Sequence, residues 1–222
     1  MKKLMPMLAL GLVATAMYSC EPEDEGMQPI SDGGPTDEVG IPHFNENNSE
    51  MVRWEELPDD LTQAIPLENE TSENENARTN FSEFSFHYGP FGGTGGKGFA
   101  IIPPSGSRIY AIGVRAGAKI DKLLIWYKRS DGSVYLGGSP GGNGGNYYVH
   151  SFASDEHLKA INGMSSNVIN QLGFVTNKKS FTYGAHVGEG FYASVPPNYQ
   201  LLGFWGKAGA LLDQLGFYVF TI

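Results

Sequence analysis

The sequence predicts an all-β domain of three related sheets, a pseudo-threefold β-prism preceded by a disordered acidic linker. Three observations carry this reading. From Asn80 onward, short apolar or alternating runs are separated by turn residues with few helical periods, the pattern of many short strands at regular spacing. Gly92-Gly93-Thr94-Gly95-Gly96 recurs 49 residues later as Gly141-Gly142-Asn143-Gly144-Gly145. Gln171-Leu172-Gly173-Phe174 recurs 43 residues later as Gln214-Leu215-Gly216-Phe217. Superposing these repeats sets Asp121, Asn170 and Asp213 in register, with Gly117, Ser166 and Gly209 four residues before them and Gly145 over Gly188. Self-similarity at a fixed period marks a repeated structural unit. Each of the three units supplies a glycine-bearing loop and a Gly/Ser-xxx-Asp/Asn loop.

Residues 1–19 read as an export signal: Lys2 and Lys3, the apolar stretch Leu4 to Met17, then Tyr18 and Ser19 ahead of Cys20. The apolar stretch falls short of the roughly 20 residues that a membrane-spanning helix needs. Cys20 is the only cysteine, so no disulfide can form within the chain. Its place after Ser19 resembles the lipobox of bacterial lipoproteins, although Met17 and Tyr18 depart from the usual residues. The resemblance implies a lipid on Cys20 and an outer-membrane anchor; the other reading is an ordinary cleaved signal with a stray cysteine. The run Glu21-Pro22-Glu23-Asp24-Glu25 resembles the surface-export tags of Bacteroidetes-type lipoproteins, implying display at the cell surface.

Residues 20–78 are expected to form a flexible tether, since Glu, Asp, Asn and Pro dominate and aromatics are sparse. Residues 21–78 hold 17 of the 24 acidic residues against two basic ones, so the chain's net charge of −9 belongs to this segment and not to a ligand site. Trp54, Leu57, Leu61 and Ile65 sit at near-helical spacing. They allow a short docking helix, limited by Pro58 and Pro66; a solvated linker with scattered apolar residues is the preferred reading.

Residues 79–222 form the folded domain, with seven acidic and 11 basic residues and no dense Lys/Arg stripe, which argues against nucleic acid as a partner. Phe84, Phe86 and Tyr88 alternate with polar residues at the period of a strand. Ile109 to Val114, Lys122 to Lys128 and Val134 to Leu136 follow, the last two parted by the turn Ser130-Asp131-Gly132-Ser133. Val168 to Val175, Phe181 to Tyr183, Phe191 to Val195, Leu201 to Trp205 and Leu215 to Thr221 complete the strands. Propensity alone predicts a helical turn at Asp155 to Ile161.

Five segments resemble the jacalin-related lectins: Gly89 to Gly96, Val114 to Asp121, Gly141 to Gly145, Phe174 to Lys179, and Gly203 through Asp213. They stand in that family's order and cover essentially the whole folded part. The resemblance implies a β-prism I of three Greek-key sheets and reversible sugar binding without chemical turnover or a cofactor. It implies a mannose/glucose-type site in which Gly96 offers its backbone N–H, Gly209 permits the turn, Ala210 and Leu211 offer N–H groups, and Asp213 accepts from two hydroxyls. The chemistry suits a sugar, because one carboxylate can accept two hydroxyl donors in charge-assisted bonds. By itself Gly-xxx-Asp also fits a β-turn whose aspartate caps its own backbone; both loops in register favour the sugar site.

The repeat raises a second site at Gly117, Ala118, Lys119 and Asp121 with Gly145, where Lys119 either donates to a sugar or narrows the pocket. The third unit, with Ser166 and Asn170, lacks the carboxylate and reads as structural. The resemblance places the loop Tyr183 to Glu189 beside the first site, where His186 and Glu189 tune selectivity or are plain exposed polar residues. Two alternatives differ in class: a protein-interaction module that kept the prism without sugar binding, and a glycan-processing enzyme. The enzyme is disfavoured because Asp121 and Asp213 occupy equivalent places in different units, not an acid/base pair. The five histidines show no metal-ligand spacing. An oligomer is compatible with the sequence.

Overall fold

The computed structural model describes residues 56–66 and 86–222. The export signal, Cys20, Trp54, Phe84 and the rest of the linker lie outside the described residues. Among the described residues thirteen strands form three sheets, accompanied by one short helix. In the first, β4 (Ser107–Ala116) and β5 (Ile120–Arg129) make the central hairpin, flanked by β6 (Val134–Gly138) and β7 (Asn146–Ser151). In the second, β8 (Leu158–Ser165) and β9 (Ile169–Thr176) are flanked by β10 (Ser180–Gly184) and β11 (Glu189–Ser194). The third combines the ends of the domain: the last hairpin, β12 (Tyr199–Ala208) and β13 (Leu212–Thr221), is flanked by β2 (Phe86–Gly92) and β3 (Lys97–Ile101).

Each sheet is a Greek key in which the fourth strand returns beside the first. The three hairpins are copies down to their irregularities. Register shifts fall at Ile109/Ala111, Leu158/Ala160 and Leu201/Gly203, and again at Arg115/Ala116, Met164/Ser165 and Lys207/Ala208. Side chains alternate across a strand, and one face of every sheet points to a common core. Ile112, Val114, Leu123 and Ile125 meet Ile161, Leu172 and Phe174 and, from the third sheet, Phe204, Leu215 and Phe217, all fully buried. The fold is the β-prism that the repeat predicts.

Two expectations are corrected. Asp155 to Ile161 is not a helical turn: Leu158 starts β8, and Leu158, Ala160 and Ile161 are buried. Ahead of it, the buried Glu156 carboxylate accepts hydrogen bonds from the Ala153 N–H at 3.2 Å, the Thr176 hydroxyl at 2.8 Å and His150 Nε2 at 2.9 Å. These contacts fix an irregular turn that local propensity does not encode.

The second correction concerns residues 56–66, which do not run as solvated linker. Helix α1 (Asp59–Thr62) and strand β1 (Ile65–Pro66) lie against the first sheet, β1 pairing in parallel with β6 through Ile65↔Tyr135 and Pro66↔Leu136. Leu57 and Leu61 are buried with Ala111, Leu124, Trp126, Val134 and Tyr147, a second apolar cluster. The indole N–H of Trp126 donates to the Leu61 carbonyl at 3.1 Å, and the Tyr110 hydroxyl donates to Asp60 Oδ2 at 2.5 Å. Asp60 holds the Tyr110 hydroxyl above its usual pKa through this bond. Of the residues at helical spacing only Leu61 lies in α1; Leu57 precedes it and Ile65 is exposed on β1, so the segment is a strap and not a docking helix of that span.

Leu61→Ala is expected to lower unfolding free energy by about 2–4 kcal/mol, because it opens a cavity over Trp126; urea unfolding of the full chain checks this. A second prediction concerns acid. Burial lowers the His150 pKa despite the Glu156 hydrogen bond, while burial raises that of Glu156 but is outweighed by its hydrogen bonds, leaving it below the ordinary carboxyl value. For both groups the unfolded chain takes up its proton first as pH falls. Stability should therefore decline below about pH 6.5 through His150 and again below about pH 4.5 through Glu156. His150→Gln should flatten the upper limb in denaturation curves between pH 4 and 8.

Candidate functional site

The loops of interest cluster at the end of the prism where β4, β8 and β12 finish. A glycine loop faces each hairpin loop, and an equivalent main-chain hydrogen bond joins each pair: Gly93 N–H to Asp213 O at 2.8 Å, Gly142 N–H to Asp121 O at 2.8 Å, and Ala185 N–H to Asn170 O at 3.0 Å. The hairpin loops also match internally. Gly209 N–H donates to Leu211 O at 2.9 Å, Gly117 N–H to Lys119 O at 3.1 Å, and Ser166 N–H to Val168 O at 2.9 Å. The repeat inferred from sequence is thus a repeat of backbone geometry.

In the first pair the Asp213 carboxylate lies against Gly95 and Gly96. A Cβ placed on Gly95 would fall 2.7 Å from Asp213 Oδ1, and one on Gly96, at φ 71°, would fall 2.6 Å from Oδ2. Only glycine admits so close an approach in the left-handed region. Asp213 Oδ2 is buried and has no hydrogen-bond partner among the described residues. A buried carboxylate oxygen without a donor is costly, and it sits where Gly209 also comes within 3.5 Å of Oδ2 by the same construction. Ala210 is exposed and Leu211 half-buried at the loop tip, next to the turn closed by Gly209 N–H. The structure brings Gly96, Gly209, Ala210, Leu211 and Asp213 to one place.

The second pair repeats this with Asp121: a Cβ on Gly144 would meet Oδ1 at 2.2 Å, and one on Gly145, at φ 64°, would meet Oδ2 at 2.7 Å. Gly117, Ala118 and Lys119 are exposed around it. The pairs also interlock, since Gly142 backs onto the Ala210 carbonyl and Gly93 onto Asn167. In the third pair the Asn170 amide donates to Val187 O of the facing glycine loop at 2.8 Å and to Ser166 Oγ of its own loop at 3.0 Å, so its donors are spent within the pair. His186 Nδ1 lies 3.2 Å from Gln171 Oε1, and Glu189 is exposed at the start of β11. Both belong to this third pair, which meets the first through Asn167 and Gly93.

Two positioning residues escaped the sequence reading. Arg115 donates from Nε to Gly144 O at 2.8 Å and from its terminal nitrogen to Gly145 O at 3.1 Å; Lys207 Nζ donates to Thr94 O at 3.2 Å. Each stands two residues before its loop glycine, and each ties down the glycine loop opposite. Gln214 Nε2 adds a bond to Gly93 O at 2.8 Å. The paired Arg-Ala-Gly and Lys-Ala-Gly triplets were the available signal.

Residues 88–218 match the family model described as the jacalin-like lectin domain. Horcolin from Hordeum vulgare is 30% identical over 138 residues, covering 59% of this chain and 94% of that protein. A mannose/glucose-specific lectin from Parkia platycephala is 35% identical over 142 residues, covering 60% of this chain and 31% of that protein. Among solved structures, AcmJRL, a mannose binding jacalin related lectin from Ananas comosus, superposes with a TM-score of 0.56 at 28% identity, covering 62% of this chain and 98% of its own.

Gly96→Ala is expected to destabilise by roughly 1–3 kcal/mol, and more than Gly106→Ala. The two glycines share a similar φ, 71° and 68°, but a Cβ at Gly106 meets nothing within 4 Å. The difference between their melting curves isolates the collision with Asp213.

Proposed function

The chain belongs to the jacalin-like lectin family, a family of carbohydrate-binding proteins that are not enzymes, and we propose that it binds mannose/glucose-type glycans reversibly through Gly96, Gly209, Ala210, Leu211 and Asp213. The single observation that carries this is the Asp213 carboxylate set between the glycine loop at Gly95 and Gly96 and the hairpin loop at Gly209, with Oδ2 lacking a partner among the described residues. A pyranose with adjacent hydroxyls donates to both carboxylate oxygens and accepts from the N–H groups, which a protein partner without such a diol does not match. The relatives from Parkia platycephala and Ananas comosus, described as mannose/glucose-specific and mannose binding, support the choice of sugar.

A second site at Gly117, Ala118, Lys119, Asp121 and Gly145 takes the same class of ligand, with Arg115 holding its glycine loop. His186 and Glu189 stand as selectivity residues one loop away. A single shallow site of this type binds at about the millimolar level, near −4 kcal/mol, and two sites on one domain raise avidity. The protein acts tethered to the outer membrane, facing the medium, through a lipid on Cys20 and the acidic segment that follows.

Asp213→Ala should abolish binding at the first site while leaving the melting temperature nearly unchanged, since Oδ2 has no partner within the described residues to lose. A glycan array and a thermal melt on the full chain check both halves; unaltered array binding overturns the site. Asp121→Ala should halve the stoichiometry seen by calorimetry, and an unchanged stoichiometry would remove the second site.

A further inference from the structure

The outer face of the third sheet carries an aromatic surface that the loop site does not use. Trp205 on β12 pairs with Gly216 on β13 and with Ala100 on β3. A Cβ on Gly216 would lie 2.3 Å from Trp205 Cε2, and one on Gly203 would lie 2.9 Å from Tyr218 Cβ. The indole therefore rests on bare backbone at Gly216. The Trp205 and Tyr218 rings lie 29° from parallel with centroids 6.1 Å apart, and His87 meets Trp205 edge-on at 5.9 Å. His87 is exposed, Trp205 and Tyr218 are half-buried, and Gly98 and Ala100 beside them are exposed and small.

The other two sheets do not offer this. On the first, the corresponding outer face holds Trp126, fully buried beneath Leu57 and Leu61 of the strap. On the second, the Asn162 carboxamide and the Thr182 hydroxyl stand over Gly173. The open aromatic face belongs to the sheet that carries Asp213. Along β13, Gly216 is three residues from Asp213, roughly 10 Å at strand rise. Lys207 and Gln214, at the two-residue period from Trp205 and Gly216, lie between and reach Thr94 O and Gly93 O of the glycine loop.

We propose that Trp205 and Tyr218 form a stacking platform for a further pyranose ring of an oligosaccharide whose end is held at Asp213. This rests on the sugar-binding reading of the loop site. One face of a pyranose presents C–H groups that pack on an aromatic face by area burial and weak C–H contacts. Its rim of hydroxyls finds Lys207, Gln214 and His87 around the rings. A second copy of the chain fits less well: an aromatic side chain buries about 150–250 Å² when fully covered. Three partly covered rings thus fall short of the roughly 800 Å² per partner in a stable dimer.

The test is calorimetry on the full chain with methyl α-mannoside and with a mannotriose, using Trp205→Ala, Ala100→Arg and Asp213→Ala. Ala100→Arg leaves the core intact and lays a guanidinium over the indole face. The unaltered chain should bind the trisaccharide about tenfold more tightly than the monosaccharide. Trp205→Ala and Ala100→Arg should each remove that preference and leave the monosaccharide affinity unchanged; Asp213→Ala should lose both ligands. Equal affinities for the two sugars in the unaltered chain overturn the platform. So does trisaccharide affinity retained in both platform variants, or loss of both sugars together in Ala100→Arg. If Ala100→Arg instead abolishes self-association in sedimentation without altering sugar binding, the face is a contact between copies. Binding of neither sugar, or Asp213→Ala binding both as before, overturns the loop site itself.

Discussion

The main-chain hydrogen bond between each glycine loop and the carbonyl of its Asp or Asn is the constraint on which the loop end of the prism depends. It recurs at 2.8, 2.8 and 3.0 Å in the three units. In the third sheet it ties the end of β2 to the start of β13, joining the first and last strands of that sheet. The first site therefore exists only when the chain has closed on itself. Because the bond is made by backbone, it fixes the distance between loops whatever side chain follows. What each unit then does is decided by that side chain: a carboxylate with one buried oxygen left over at Asp213, a second carboxylate at Asp121, and at Asn170 an amide whose donors are spent on Ser166 and on Val187 of the facing loop.

The sequence displayed this constraint because close backbone approach demands glycine at fixed positions, so the loops left a repeat in the text. The central hairpin strands β4, β5, β9, β12 and β13 were legible for a similar reason, since inward positions must be apolar at a period of two. Strands β3 and β7 were not, being edge strands that follow glycine loops and bury little. Strand β8 was missed because its opening residues favour a helix locally, while Leu158 and Ala160 are claimed by the core and tertiary packing overrides propensity. Arg115 and Lys207 act on loops 29 and 113 residues away, and their only local trace is the paired Arg-Ala-Gly and Lys-Ala-Gly triplets, which do not name the loop they reach.

The strap was the least readable element, and the reason is physical. Leu61 lies in a four-residue helix, with Leu57 just ahead of it, and a helix that short has no stability of its own. Its partner surface of Ala111, Leu124, Trp126 and Tyr147 comes into being only once three strands have paired. Composition correctly describes an acidic segment; it cannot reveal a surface built from residues 50 to 90 positions further on. The domain that the family match delimits at residue 88 thus carries an added contact that begins at least 30 residues earlier.

That contact also distinguishes faces that the pseudo-threefold backbone makes equivalent. In register, Tyr218 of the third sheet stands where Trp126 stands in the first, with Gly203 in the place of Ala111. Both positions carry an aromatic ring over a small residue. In the first sheet that ring is sealed by Leu57 and Leu61 and by the bond from its indole N–H to the Leu61 carbonyl. In the third sheet the face is left partly open, with Trp205 added beside the ring. Identical backbone geometry thus serves two ends. The first sheet receives the strap, with α1 and β1 laid against it. The third sheet keeps its loops and its outer face clear of that attachment, which is where an extended ligand needs room.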